Sequence, residues 1–211
     1  MNSSARHHRA RHAVATVVVA LVATISGCAS VELSLGSTPD EAIVPNSDPL
    51  AFLDPLRGGS WEGTVGTGET QLLQRVTLTD VFPERLARLS TEVRIDGDWT
   101  LAIDGQIGWD PARGRVTYRA WSVDGAYFDG VARAGDDGTI VLLYDLTSTR
   151  GSLRLELRYA FEGGGTCTWE SRMLTLGSGS DDPIGAPELF DSGVLRRPVP
   201  AAVAPASAES R

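Results

Sequence analysis

Lysine is absent from this chain, and its only three histidines, His7, His8 and His12, lie near the N-terminus. Beyond His12 there is neither imidazole nor side-chain amine, and every basic residue is an arginine. A Ser-His-Asp or Cys-His constellation therefore has no base there, Schiff-base and Ser-Lys chemistry has no amine, and haem or zinc cannot be held by imidazole. Cysteine is nearly as scarce. Only Cys28 and Cys167 occur, whereas thiolate zinc and iron–sulfur sites call for four ligands. The one Gly/Ser run, Gly177-Ser178-Gly179-Ser180, departs from the spacing of a nucleophile elbow and has no histidine to activate a serine. Aspartates cluster as Asp96 with Asp98 and as Asp136 with Asp137. Neither pair has the ligand spacing of a calcium loop, and both fit turns, where the carboxylate bonds local backbone. Asp104 reads as a solvated carboxylate on the polar side of a strand. We expect no cofactor, no metal and no catalysis; an enzyme built on this chain would have to rely on carboxylates, tyrosine or arginine alone.

Long apolar runs are missing too, save one. Ala13 to Ile25 follows a basic stretch (Arg6, His7, His8, Arg9, Arg11, His12) and precedes Ser26-Gly27-Cys28. The run falls short of the roughly twenty residues that span a bilayer and matches the apolar region of a secretory signal peptide. Ile25-Ser26-Gly27-Cys28 resembles the lipobox of bacterial lipoproteins. The resemblance implies a diacylglycerol thioether on Cys28, cleavage after Gly27, and a protein anchored by lipid to a membrane of the cell envelope on the exported side. No Arg-Arg pair points to twin-arginine export. Ala29 and Ser30 stand where some lipoproteins carry a retention aspartate, which favours the outer membrane in a cell with two. Cleavage would leave 16 arginines against 27 carboxylates, a formal charge of −11. That sign disfavours nucleic acid and anionic surfaces as partners, and the arginines are scattered rather than massed. With Cys28 acylated, Cys167 has no intrachain partner and reads as a small buried hydrophobe.

Composition divides the chain into a signal peptide (1–27), a lipid-anchored flexible tether rich in Ser, Pro, Asp and Asn (28–52), a folded domain (53–176) and a Gly/Ser/Pro/Ala-rich tail, mostly disordered (177–211). Within the tail, Leu189, Phe190, Val194 and Leu195 form a short apolar cluster suited to docking back on the domain.

Within the domain, apolar and polar residues alternate. Leu153, Leu155, Leu157, Tyr159 and Phe161 interleave with Arg154, Glu156, Arg158 and Glu162, the period of a strand with one buried face. Trp99, Leu101, Ile103, Ile107 and Trp109 repeat the pattern. Ile140, Leu142, Tyr144 and Leu146 mark a more deeply buried strand, since Val141 and Leu143 are apolar as well. Further strands read at 60–66, 72–80, 86–95, 114–122, 126–134 and 166–175, separated by turn signals such as Asp124-Gly125 and Gly135-Asp136-Asp137-Gly138. About nine sequential strands with tight turns predict an all-β, antiparallel up-and-down barrel of about 8–10 strands, because closure removes sheet edges that would otherwise aggregate.

Gly59-Ser60-Trp61-Glu62-Gly63, Ile107-Gly108-Trp109-Asp110-Pro111-Ala112-Arg113-Gly114, Trp121 and Asp124-Gly125 together resemble a bacterial family of unknown function whose domain is similar to calycin-like barrels, the lipocalins and fatty-acid-binding proteins. The resemblance covers residues 53–176. It implies an apolar barrel interior with Trp61 plugging one end, and it transfers no catalytic residue; the histidine of haem-binding relatives is missing. Trp99, Tyr118, Tyr144 and Tyr159 fall on predicted inward faces and are the candidates for lining a ligand lumen, with ordinary core packing as the competing role. The sequence thus leads to a non-catalytic, membrane-anchored barrel that binds or carries a small, largely apolar ligand. The alternative is an envelope interaction module with a filled barrel and a protein partner the sequence does not identify.

Overall fold

A computed structural model of the chain describes residues 48–66, 71–163, 165–174 and 186–198. The lipobox and Cys28 lie outside the described residues. A short 3-10 helix, Ala51–Leu56, precedes ten strands: Ser60–Val65 (β1), Leu72–Phe82 (β2), Leu86–Ile95 (β3), Asp98–Asp110 (β4), Arg115–Ser122 (β5), Tyr127–Ala134 (β6), Ile140–Ser148 (β7), Gly151–Glu162 (β8), Thr166–Leu174 (β9) and Glu188–Arg196 (β10). Each strand pairs antiparallel with its neighbour in sequence, and β1 pairs with β10 to close the barrel. Turn chemistry explains the short connections. Gly97, Gly125 and Gly138 adopt positive φ at the hairpin turns, where a side chain would be strained.

Alternation sends one residue set inward and the other out. Val76, Leu78, Leu89, Ile107, Leu142 and Leu155 are among the buried interior. The outward set carries arginine–carboxylate pairs across neighbouring strands. Arg88 forks onto Asp104 at 2.7 and 2.9 Å, Arg154 forks onto Asp145 at 2.8 Å twice, and Arg119 meets Asp129 at 3.2 Å. Asp104 is therefore a surface residue, but one held by an arginine.

Two boundaries differ from the sequence reading. The folded unit begins before residue 53, because Leu50, Leu53 and Leu56 are essentially inaccessible and join the barrel core; burying each contributes roughly 1.5–3 kcal/mol. The unit also extends past 176, since residues 188–196 of the expected tail form β10. Eight residues of β10 register against β9, from Glu188↔Met173 to Arg196↔Thr166. The cluster Leu189, Phe190, Val194 and Leu195 thus enters the sheet as a strand, and Leu195 is fully buried.

Trp61 lies under the 3-10 helix at one end of the barrel. Its Nε1 donates to the Leu56 carbonyl at 3.3 Å, Phe161 meets its ring edge-on at 5.6 Å, and the Arg197 guanidinium sits 4.8 Å from the ring centroid. Arg197 also donates to the carbonyls of Pro55, Arg57 and Gly58. The residue just beyond β10 thereby fastens the segment that leads into β1.

Candidate functional site: an interior cavity

Toward the other end of the barrel the interior is not filled. A partly open cavity of about 140 Å³ lies there, its walls mainly apolar. Val76, Val93, Ile103, Phe128, Leu146 and Leu157 supply much of the apolar lining.

The four predicted lumen residues divide three to one. Tyr118, Tyr144 and Tyr159 are buried inside the barrel, with Tyr144 and Tyr159 on the cavity wall. Tyr118 packs edge-on against Tyr144 at 5.5 Å, and Phe128 tilts against Tyr144 at 5.6 Å. Small residues make room for these rings. A Cβ at Gly105 would stand 3.0 Å from the Tyr118 ring, and one at Gly130 would collide with the Leu143 carbonyl at 2.0 Å.

Trp99 is the exception: it lies on the outer face, stacked with the Arg75 guanidinium 4.0 Å from its ring centroid. The cause is a bulge. Thr91 pairs with Ile103, but the next residue, Glu92, pairs with Leu101, leaving Ala102 as an extra residue in β4. Ala102 and Ile103 consequently both line the cavity, and alternation reverses on the N-terminal side of the bulge. Leu101 is exposed for the same reason. A bulge of this kind inverts every side chain on one side of it.

Burial keeps the phenols protonated. Tyr144 is pushed up to about 12, against the pull of its hydrogen bond with Ser171. Tyr118 is raised well above its ordinary range by burial and by the neighbouring Tyr144 and Tyr159, and Tyr159 is raised by burial, Cys167 and Tyr144. Cys167 is inaccessible and its thiol is pushed up to about 12 by burial and by Glu162. Near neutral pH these groups are neutral, and Tyr144 and Tyr159 present uncharged phenols on the cavity wall.

A polar set also reaches the cavity: Gln74, Ser171, Trp169 and Asp191. Gln74 donates from Nε2 to the Thr64 carbonyl at 3.5 Å. Asp191 follows a second bulge, in which Leu189 pairs with Arg172 and Asp191 with Ser171, leaving Phe190 as the extra residue. The sequence reading missed all four. Three were legible in principle, because Gln74 shares parity with Val76 and Leu78, and Trp169 and Ser171 share parity with Cys167. Asp191 was not, since its strand was assigned to the tail.

Of the paired turn aspartates, Asp137 bonds its own turn. Asp137 Oδ1 accepts from the Thr139 amide at 3.1 Å and its hydroxyl at 2.6 Å, and these bonds hold the carboxyl below its usual range.

The sequence matches no family model and no curated protein. Among solved structures, it is similar to the crystal structure of Rv2717c from M. tuberculosis at 18% identity, over 72% of this chain and 99% of that one, with a TM-score of 0.46. That likeness bears on neither ligand nor activity. Among the described residues the chain forms a closed ten-strand antiparallel barrel.

Proposed function

We propose that this protein is a non-catalytic binding barrel that buries a small, largely apolar molecule in its interior and is held at a membrane of the cell envelope by a lipid on Cys28. The cavity carries the binding half of this reading. Its volume of about 140 Å³ is close to the roughly 150 Å³ that admits benzene in an apolar protein interior. It falls below the ~300 Å³ at which pockets for drug-sized ligands begin. The occupant is therefore a single ring or a short hydrocarbon segment.

The outer face supports a water-exposed barrel. Lipid-spanning barrels are apolar outside and polar within; here the outer face carries ion pairs and the interior holds a core of aliphatic and aromatic residues. No helix among the described residues is long and apolar enough to cross a membrane. The lipobox resemblance at 25–28 supports attachment by lipid.

Native mass spectrometry of the protein purified without detergent, followed by organic extraction, tests the binding half. The expected result is a stoichiometric adduct, native or formed on adding toluene, that vanishes on denaturation. A bare mass under both conditions contradicts it.

A further inference from the structure

Two residues that line the cavity each carry a buried polar atom with no hydrogen-bond partner among the described residues: the indole Nε1 of Trp169 and the Oδ2 of Asp191. Trp169 is 93% buried, being 7% exposed. Their relative position follows from the register. Trp169 faces Gly193 and Ser171 faces Asp191 on the adjacent strand, so Trp169 and Asp191 are diagonal neighbours on the inner face of β9 and β10. Such diagonals place side chains within reach of one small group.

Their chemistry is complementary. An indole N–H can only donate. The Asp191 carboxylate can only accept, and its other oxygen is occupied by the Ser192 amide at 2.8 Å. A buried polar atom left unpaired is costly, and two of them on neighbouring residues that line one cavity mark a place for something that answers both. An ammonium would satisfy Asp191 and leave the indole N–H unpaired; a carboxylate would satisfy the indole and be repelled by Asp191. A hydroxyl does both, accepting from Trp169 and donating to Asp191. Burial also raises the Asp191 pKa, offset in part by the Ser192 and Gly66 amides, and a hydroxyl fits the protonated carboxyl equally well.

Resting on the binding-barrel reading, we propose that the ligand class is a small alcohol or phenol: an apolar ring or chain carrying one hydroxyl, seated with the hydroxyl between Trp169 Nε1 and Asp191 Oδ2. The surrounding aliphatic and aromatic walls hold the hydrocarbon part. This assigns Trp169 and Asp191 as specificity-determining residues.

Phenol and toluene are near-isosteric and differ by hydroxyl against methyl, so titrating the full chain with each tests the assignment. Water expels toluene more strongly, so a cavity with no polar demand would prefer it. The expected result is the reverse: phenol binds at least about tenfold tighter, and the Trp169 indole N–H resonance shifts with phenol. Asp191→Asn and Trp169→Phe, each checked for an unchanged unfolding midpoint and spectral dispersion, lower the preference by about tenfold or more. If a variant is destabilised, the wild-type phenol–toluene ratio decides alone. Toluene binding as tightly as phenol, or tighter, overturns the hydroxyl assignment while leaving the apolar cavity standing. Failure of both probes to bind overturns the binding-barrel reading as well.

Discussion

Gly193 on β10 lies directly opposite Trp169 on β9, and a Cβ built on it would stand 2.7 Å from the indole Nε1 and 3.0 Å from the Thr64 carbonyl. The missing side chain is what lets the indole approach the neighbouring strand this closely. Gly193→Ala is therefore expected to displace the indole and to destabilise the barrel by about 1–3 kcal/mol, the usual cost of overpacking. Chemical denaturation and the tryptophan emission maximum check this. An alanine variant with unchanged midpoint and emission would show that the close approach is not needed.

Alkaline pH should unfold this barrel through its tyrosines. Tyr144, pushed up to about 12, and Tyr118 and Tyr159, also raised by burial, stay protonated in the folded state. The unfolded chain releases those protons from about pH 10. Stability from this source is complete below pH 10 and is lost as pH rises toward the folded values. Tyr144 alone accounts for about 2–3 kcal/mol between pH 10 and 12. Denaturant midpoints at pH 9, 10.5 and 12 should fall progressively, with Tyr144→Phe flattening the slope; a flat wild-type profile would contradict the burial of these phenols.

Ending the chain at residue 187 removes β10 and exposes the edges of β1 and β9. Open edges invite intermolecular pairing, so this truncation is expected to aggregate or unfold, whereas a chain ending at 198 keeps the wild-type melting temperature. Arg197→Ala in the full chain should cost about 1–2 kcal/mol, from its bonds to three carbonyls and its position over Trp61. Size-exclusion profiles and melting curves of the three proteins decide the matter.

Lipid attachment predicts that a bacterial host fed an alkyne-tagged fatty acid labels the full chain and not Cys28→Ser. The same Cys28→Ser protein should show no rapid thiol reaction near neutral pH, because Cys167 is inaccessible and its thiol is pushed up to about 12. Label persisting on Cys28→Ser would overturn the attachment site.

Most of the barrel was legible in the sequence because apolar and polar residues alternate along much of it and many of its turns carry glycine or aspartate. Two of the misread places are bulges. Ala102 and Phe190 are extra residues at bulges, and a period of two cannot be followed through a bulge. Ala102 turned Trp99 outward against expectation, and β10, with its bulge at Phe190, lies in a stretch whose Gly/Ser and Pro/Ala composition reads as tail. With β10 went Asp191, one of the two polar atoms that give the cavity its chemical character. The interior tyrosines lie on uninterrupted strands and were placed inside correctly.

Thermal unfolding with toluene, in the wild type and in Ala102→Leu, tests the central claim most directly. Ala102 lines the cavity, so a leucine there occupies the space a ligand would take. A ligand that binds only the folded state stabilises it in proportion to the logarithm of saturation. The account predicts a melting temperature that climbs with toluene in the wild type and does not in Ala102→Leu. No rise in the wild type, or the same rise in both, would contradict an interior binding site.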